Sequence, residues 1–173
     1  MVECMRPYRD EHGPSEMRSR VEAGCVVGAE ASLLSDLVRR RPIFIADADG
    51  AARRMVGACL TSLNLTNPTV ELTDGDQLMH TLQDSFELGP SYLPALVVLD
   101  LKLIGFSGLD VLRWLRDTVG VGRIPVVVLT AEEGAADVTE AYRLGARSYL
   151  VKPTGFEVLS SVVRDLDQPW ALT

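Results

Sequence analysis

Four short apolar runs, each followed at once by a polar residue, constrain this chain more than any other feature. Ile43-Phe44-Ile45-Ala46 leads into Asp47, Leu96-Val97-Val98-Leu99 into Asp100, Val126-Val127-Val128-Leu129 into Thr130, and Tyr149-Leu150-Val151 into Lys152-Pro153. A weaker fifth run is Thr69-Val70-Glu71-Leu72. Continuous apolar runs mark strands covered on both faces, as in parallel sheets. The segments between them carry apolar residues at helical spacing: Met55, Val56, Cys59, Leu60 and Leu63; Val111, Leu112 and Leu115; Val138, Ala141 and Tyr142; Phe156, Leu159, Val162, Val163 and Leu166; and, more weakly, Leu78, Leu82 and Phe86. Five alternating strand–helix units predict a doubly wound α/β domain with helices on both faces of a five-stranded parallel sheet.

That pattern occupies residues 42–167 of 173. Residues 1–20 are charged and hold Pro7, Gly13 and Pro14, so they read as a flexible arm. From about Ala29 to Arg40, Leu33, Leu34, Leu37 and Val38 recur at helical spacing, which predicts a short helix ended by Pro42. Residues 1–41 thus form an N-terminal extension and 168–173 a C-terminal tail. The extension holds seven acids and seven arginines, so the whole net charge of −7 falls on residues 42–173. Such a surface argues against a nucleic-acid-binding face, which needs clustered Lys and Arg. No apolar run approaches the ~20 residues of a membrane span, and the first 20 residues lack a secretory core, which points to the cytoplasm. Cys4, Cys25 and Cys59 are odd in number and form no CxxC pair, so they read as reduced thiols. His12 and His80 lack partners at ligand spacing, which excludes a zinc site.

In a parallel α/β sheet the carboxyl ends of the strands share one edge, and ligands bind there. Asp47, Asp100, Thr130 and Lys152 would converge on it. Any one of them is explained blandly: an Asp after a strand usually caps or turns, and a Thr is a good strand former. Four at one register suggest phosphoryl transfer to a carboxylate. Two carboxylates ~4 Å apart repel by about 4 kcal/mol at an effective dielectric of 20, and a phosphoryl group adds roughly −1.5 to −2 in charge. A divalent cation with a taste for hard oxygen, such as Mg²⁺, suits that site. A lysine ammonium can hold a phosphoryl oxygen as a point charge, and the Thr130 hydroxyl can bind another.

The stretch LVVLDLKLIGFSGLDVL resembles the phosphoacceptor strand and loop of response-regulator receiver domains, IPVVVLTA their fourth strand, and LGARSYLVKP their fifth. The resemblance covers about residues 42–167. It implies a flavodoxin-like sheet of order 2-1-3-4-5 and phosphorylation of Asp100 by a sensor histidine kinase or phosphotransfer protein. It implies Mg²⁺ held by Asp47, Asp100 and the Lys102 backbone carbonyl, with Thr130, Ala131 and Lys152 at the phosphoryl group, Tyr149 as a rotating aromatic, and a cis peptide before Pro153. It implies no enzyme activity of the chain's own. It also implies output to a downstream protein or to a second copy through the face of helix 4, strand 5 and helix 5. With few residues after Lys152, the chain is expected to be a single-domain regulator. The loop from Gly89 to Pro94 and the tail Trp170 are similar to stand-alone regulators paired with bacterial phytochromes.

Two positions depart from the family pattern. Receivers usually carry adjacent acids after the first strand; here Asp47 is followed by Ala48 and then Asp49, which is expected to point elsewhere although it is a candidate ligand. A weak metal site is the expectation. Ile104 stands where the phosphoacceptor loop often has Pro. A second reading is therefore a degenerate receiver, an unphosphorylated binding module. A third takes IFIA-Asp47-Ala48-Asp49-Gly50 as the nucleophile motif of a haloacid-dehalogenase-like phosphohydrolase, with Asp47 attacking. Trp114 reads as packing, Glu132-Glu133 as the start of the fourth helix, where acids favour the dipole, and Arg39–Arg41 as a solvated helix end.

Overall fold

The computed structural model describes residues 40–172. The predicted flexible arm and the helix over residues 29–40 fall almost wholly outside them. Strands β1 (Ile43–Ala46), β2 (Thr69–Leu72), β3 (Leu96–Leu99), β4 (Val126–Thr130) and β5 (Ser148–Val151) alternate with helices α1 (Gly50–Ser62), α2 (Gly75–Leu88), α3 (Gly108–Trp114), α4 (Ala135–Arg143) and α5 (Phe156–Arg164). All strand pairs are parallel, and the sheet order is β2-β1-β3-β4-β5. The predicted topology is the one observed.

The apolar runs are continuous because successive side chains enter two cores. Phe44, Val97, Leu99, Val126 and Val128 meet Leu78 and Leu82 of α2, Val111 and Leu112 of α3 and Ala141 of α4. Ile43, Ile45, Leu96, Val98, Val127 and Leu129 meet Val56, Cys59 and Leu60 of α1 and Leu159 and Val163 of α5. Each fully buried Leu, Ile, Val or Phe contributes about 1.5–3 kcal/mol of transfer free energy. Trp114 packs as expected, edge-on to Phe86 with ring centroids 6.1 Å apart. After Trp114 the helix widens into a π-helical turn, Leu115–Val119, which lets both Leu115 and Val119 reach the core.

Four local expectations change. Glu132 and Glu133 do not start α4: Gly134 caps it and the helix begins at Ala135, so both acids sit in the preceding loop. Arg41 is not a solvated helix end. Its guanidinium donates to the carbonyls of Leu93 (2.6 Å) and Pro94 (2.5 Å). Residues 168–172 are more than a trailing tail. Trp170 packs against the α1–α5 core, Thr66 N–H donates to Ala171 O at 2.7 Å, and Leu172 bridges Leu65 in antiparallel sense. The helical stripes of α4 and α5 are also narrower than predicted, with Tyr142 and Phe156 exposed. Both helices flank the edge strand β5, where less core is available to cover them.

One close approach ties α2 to the loop after β3. Gly75 N–H donates to Ile104 O at 2.8 Å, and a Cβ on Gly75 would lie 1.7 Å from Phe106 O. Gly105, at φ +79°, faces the Asp76 carboxylate so closely that a Cβ there would lie 2.4 Å from it.

Candidate functional site

Asp47 follows β1 and Asp100 follows β3, neighbouring strands held in register by the Ala46–Leu99 pair. The Asp100 amide donates to Ala46 O at 2.9 Å, so the two acids leave the sheet side by side. Thr130 ends β4 and is fully buried, and the Lys152 amide donates to its carbonyl at 2.7 Å. That bond brings the end of β5 to the same edge. The expected convergence is therefore present, and its centre is an ammonium. Lys152 Nζ donates to Asp47 Oδ2 at 2.5 Å and to Asp100 Oδ2 at 2.9 Å. Both carboxylates are buried. The Lys152–Pro153 peptide is cis, as expected.

The outer carboxylate oxygens are held by backbone. Asp47 Oδ1 accepts from Asp49 N–H at 2.9 Å, and Asp100 Oδ1 accepts from Lys102 N–H at 3.0 Å. Burial works to raise the Asp100 pKa, but hydrogen bonds from Thr130, the Lys102 amide and Lys152, with the charge of Lys152, outweigh it and hold the carboxyl below the usual range. Burial works to lower Lys152, and its two carboxylate partners overcome that and raise it. Asp100 is thus an ionised, oriented carboxylate at neutral pH.

The remaining expected residues are placed as follows. Ala131 follows Thr130 on the exposed rim. The Tyr149 hydroxyl donates to Glu132 O at 3.0 Å, and burial raises its pKa, helped by the charges of Asp137, Glu132 and Asp100. Asp49 does not join the acid pair: its Oδ1 accepts from Ala51 N–H at 2.8 Å and caps α1. Ala48 is exposed. The Lys102 ammonium pairs with Glu132 across the mouth of the site and does not stand in for a cation between Asp47 and Asp100.

Sequence reasoning missed two parts of the site. Arg53 of α1 donates to Asp47 O at 2.7 Å and Ala48 O at 3.3 Å, and its Nε reaches Glu71 at 2.9 Å. It fixes the turn that carries Asp47. Only its place one helical turn after the Asp49 cap could have signalled this. Glu132 was assigned to a helix start; its spacing two residues after a strand end was the better signal, because that puts it on the edge where Lys102 lies.

Among the described residues no cluster of three His, Cys, Asp or Glu side chains is placed to hold a metal. The two buried carboxylates at the strand ends suit Mg²⁺, which takes one or two carboxylates and completes its shell with water and phosphate oxygen. Two carboxylates against one ammonium leave one surplus negative charge in the pocket.

A family model for the response regulator receiver domain matches residues 43–164. Response regulator Rcp1 of Synechocystis sp. is 31% identical over 131 residues, covering 76% of this chain and 89% of its own. Chemotaxis protein CheY of Pseudomonas aeruginosa is 30% identical over 125 residues, covering 72% and 94%. Among solved structures, the Mn(2+)-bound form of Rcp1 superposes with a TM-score of 0.65 at 28% identity, covering 77% of this chain and 99% of that one. The bacteriophytochrome response regulator RtBRR gives 0.65 at 32% identity, covering 77% and 81%. With the fold order, the edge-on acid pair and its bridging lysine, these likenesses establish that the chain belongs to the response regulator receiver domain family.

Proposed function

We propose that this chain is a response regulator that accepts a phosphoryl group on Asp100 from the phosphohistidine of a sensor kinase or phosphotransfer protein. The observation that carries this reading is the Lys152 ammonium bridging the buried Asp47 and Asp100 at the carboxyl edge of the sheet. In the transfer, an Asp100 oxygen attacks phosphorus, a P–O bond forms, the P–N bond to histidine breaks, and the leaving imidazole takes up a proton. Asp47, Asp100 and the Lys102 carbonyl would hold Mg²⁺, which neutralises charge on the transferring group when bound. The chain's own contribution is position and charge. The Lys102 amide orients the nucleophile, and Arg53 fixes the Asp47 turn. Lys152 follows the incoming negative charge, and the Thr130 hydroxyl offers a further hydrogen bond.

Output runs through the α4–β5–α5 face to a downstream protein or a second copy, with no part played by DNA or membrane. No helix among the described residues is long and apolar enough to cross a membrane, and we place the protein in the cytoplasm. Thr130 turning toward a phosphoryl oxygen would loosen the loop in which the Tyr149 hydroxyl holds Glu132 O, a two-state packing change of the kind that moves a local charge to a surface. Nothing in this role needs turnover of a separate substrate, so we read the chain as a phosphoacceptor and not an enzyme.

The exposed Ala48 favours one second reading, a receiver that binds partners without being phosphorylated. Labelling with acetyl phosphate in Mg²⁺, with mapping of the modified residue, separates the readings. Label on Asp100 that disappears in Asp100→Asn is the expected result. Label on Asp47 would indicate the phosphohydrolase reading, and no label at any Mg²⁺ concentration the unphosphorylated module.

A further inference from the structure

The end of the domain opposite Asp100 holds an open apolar groove of about 550 Å³. Phe44, Val70 and Pro42 line it together with Leu88 at the end of α2 and Tyr92 in the short 3-10 turn Pro90–Tyr92. Leu88 is 64% exposed and Tyr92 57%. Apolar side chains scattered singly over a surface need no explanation, but gathered round a concavity they mark a binding site. β2 is an edge strand, so no further strand of the sheet covers this side.

The chain itself arrives at this groove. Arg40 and Arg41 form part of its wall, and Arg41 is pinned there through the Leu93 and Pro94 carbonyls. Thirty-nine residues precede Arg40, and the nearest of them carry Leu33, Leu34, Leu37 and Val38. Spacing of i, i+1, i+4 and i+5 places these four on one face of a helix, the pattern with which a helix enters a hydrophobic groove. The farthest, Leu33, is seven residues from Arg40. A tether so short gives an effective concentration in the millimolar range, so a segment of this chain outcompetes a dilute partner of equal intrinsic affinity.

We infer that the groove between β2, the end of α2 and the 3-10 turn is the docking site for the chain's own residues 33–38, whose leucines cover Leu88 and Tyr92.

The test compares the full chain with its Leu34→Asp/Leu37→Asp variant by amide hydrogen exchange. Amides from Ser85 to Tyr92 should exchange about tenfold faster in the variant, since local opening there loses its cover. Amides of β3 serve as the internal control and should not change. Wild-type protection should be unaltered over a hundredfold dilution. Equal exchange at Ser85–Tyr92 in the two proteins overturns the proposal, as does protection that fades on dilution, which gives the groove to a second copy. If the control amides also change, a disulfide test decides. Leu37→Cys/Ser91→Cys in a full chain lacking Cys4 and Cys25 should form an intramolecular bond under mild oxidation, and failure to form it, or formation only between chains, overturns the proposal.

Discussion

Replacing Lys152 with Met removes the ammonium from between Asp47 and Asp100 while keeping a side chain of similar length. The side chains of the two acids are only 5% and 10% exposed, and that of Lys152 21%. Removing one partner of a fully buried pair costs about 3–5 kcal/mol. Water reaches Lys152, and screening reduces this to about 2 kcal/mol at pH 7. The pH dependence gives the prediction its sign. In the wild type the Asp100 carboxyl is held below its usual range, so its contribution is present above about pH 4 and is lost as pH falls through the depressed folded value. In the variant the hydrogen bond and charge of Lys152 are gone, so burial of Asp100 is opposed only by the Thr130 and Lys102 amide hydrogen bonds, and its carboxyl moves up from its wild-type value. The difference between the proteins should therefore be full at pH 7 and shrink steadily from about pH 5 downward. On the alkaline side Lys152 is raised, so its contribution is complete below about pH 10.4 and is lost above that as the lysine deprotonates. Urea unfolding followed by far-ultraviolet circular dichroism in EDTA measures this. With a slope of roughly 2 kcal/mol/M, the midpoint should fall by about 1 M at pH 7. A variant as stable as wild type at pH 7, or a deficit identical at pH 7 and pH 4, would refute the reasoning.

Ala48→Asp should tighten Mg²⁺ binding by calorimetry, because each added carboxylate raises affinity for a hard cation. Asp47→Ala should weaken Mg²⁺ binding far more than Asp49→Ala does, whereas Asp49→Ala should cost about 1 kcal/mol in urea unfolding, as for a lost helix cap. Glu132→Gln should let the Lys102 ammonium titrate at lower pH than in the wild type, because its raised pKa comes from the Glu132 hydrogen bond and charge. Lysine-selective NMR titration reads this directly, and an unchanged Lys102 value would count against the ion pair.

The fold was legible because both faces of the sheet are covered. Phe44 and Ile45 enter opposite cores, so the run is apolar without a break, and the break itself marks the strand end. The acid pair and its lysine were legible for the same reason, as the first polar residues after such runs. What escaped depends on contacts that sequence distance hides. Arg53 reaches back over the turn it follows, and Arg41 finds carbonyls more than fifty residues away. Glu132 was misplaced because an acidic pair before an alanine-rich segment is also how a helix starts, and the glycine cap at Gly134 outranked it. The offset of Asp49 from the acid pair was legible too, and the structure gives that side chain to the Ala51 amide as a helix cap.

The contact of Gly75 with Ile104 and Phe106 seats the first turn of α2 directly on the loop after β3. There is no room for even a methyl group at Gly75, where the near atoms are Phe106 backbone. α2 has 14 residues, a rod of about 21 Å, and its far end is Leu88 at the rim of the apolar groove. The loop after Asp100 and the apolar groove that Arg40 and Arg41 help line thus lie at the two ends of a single helix.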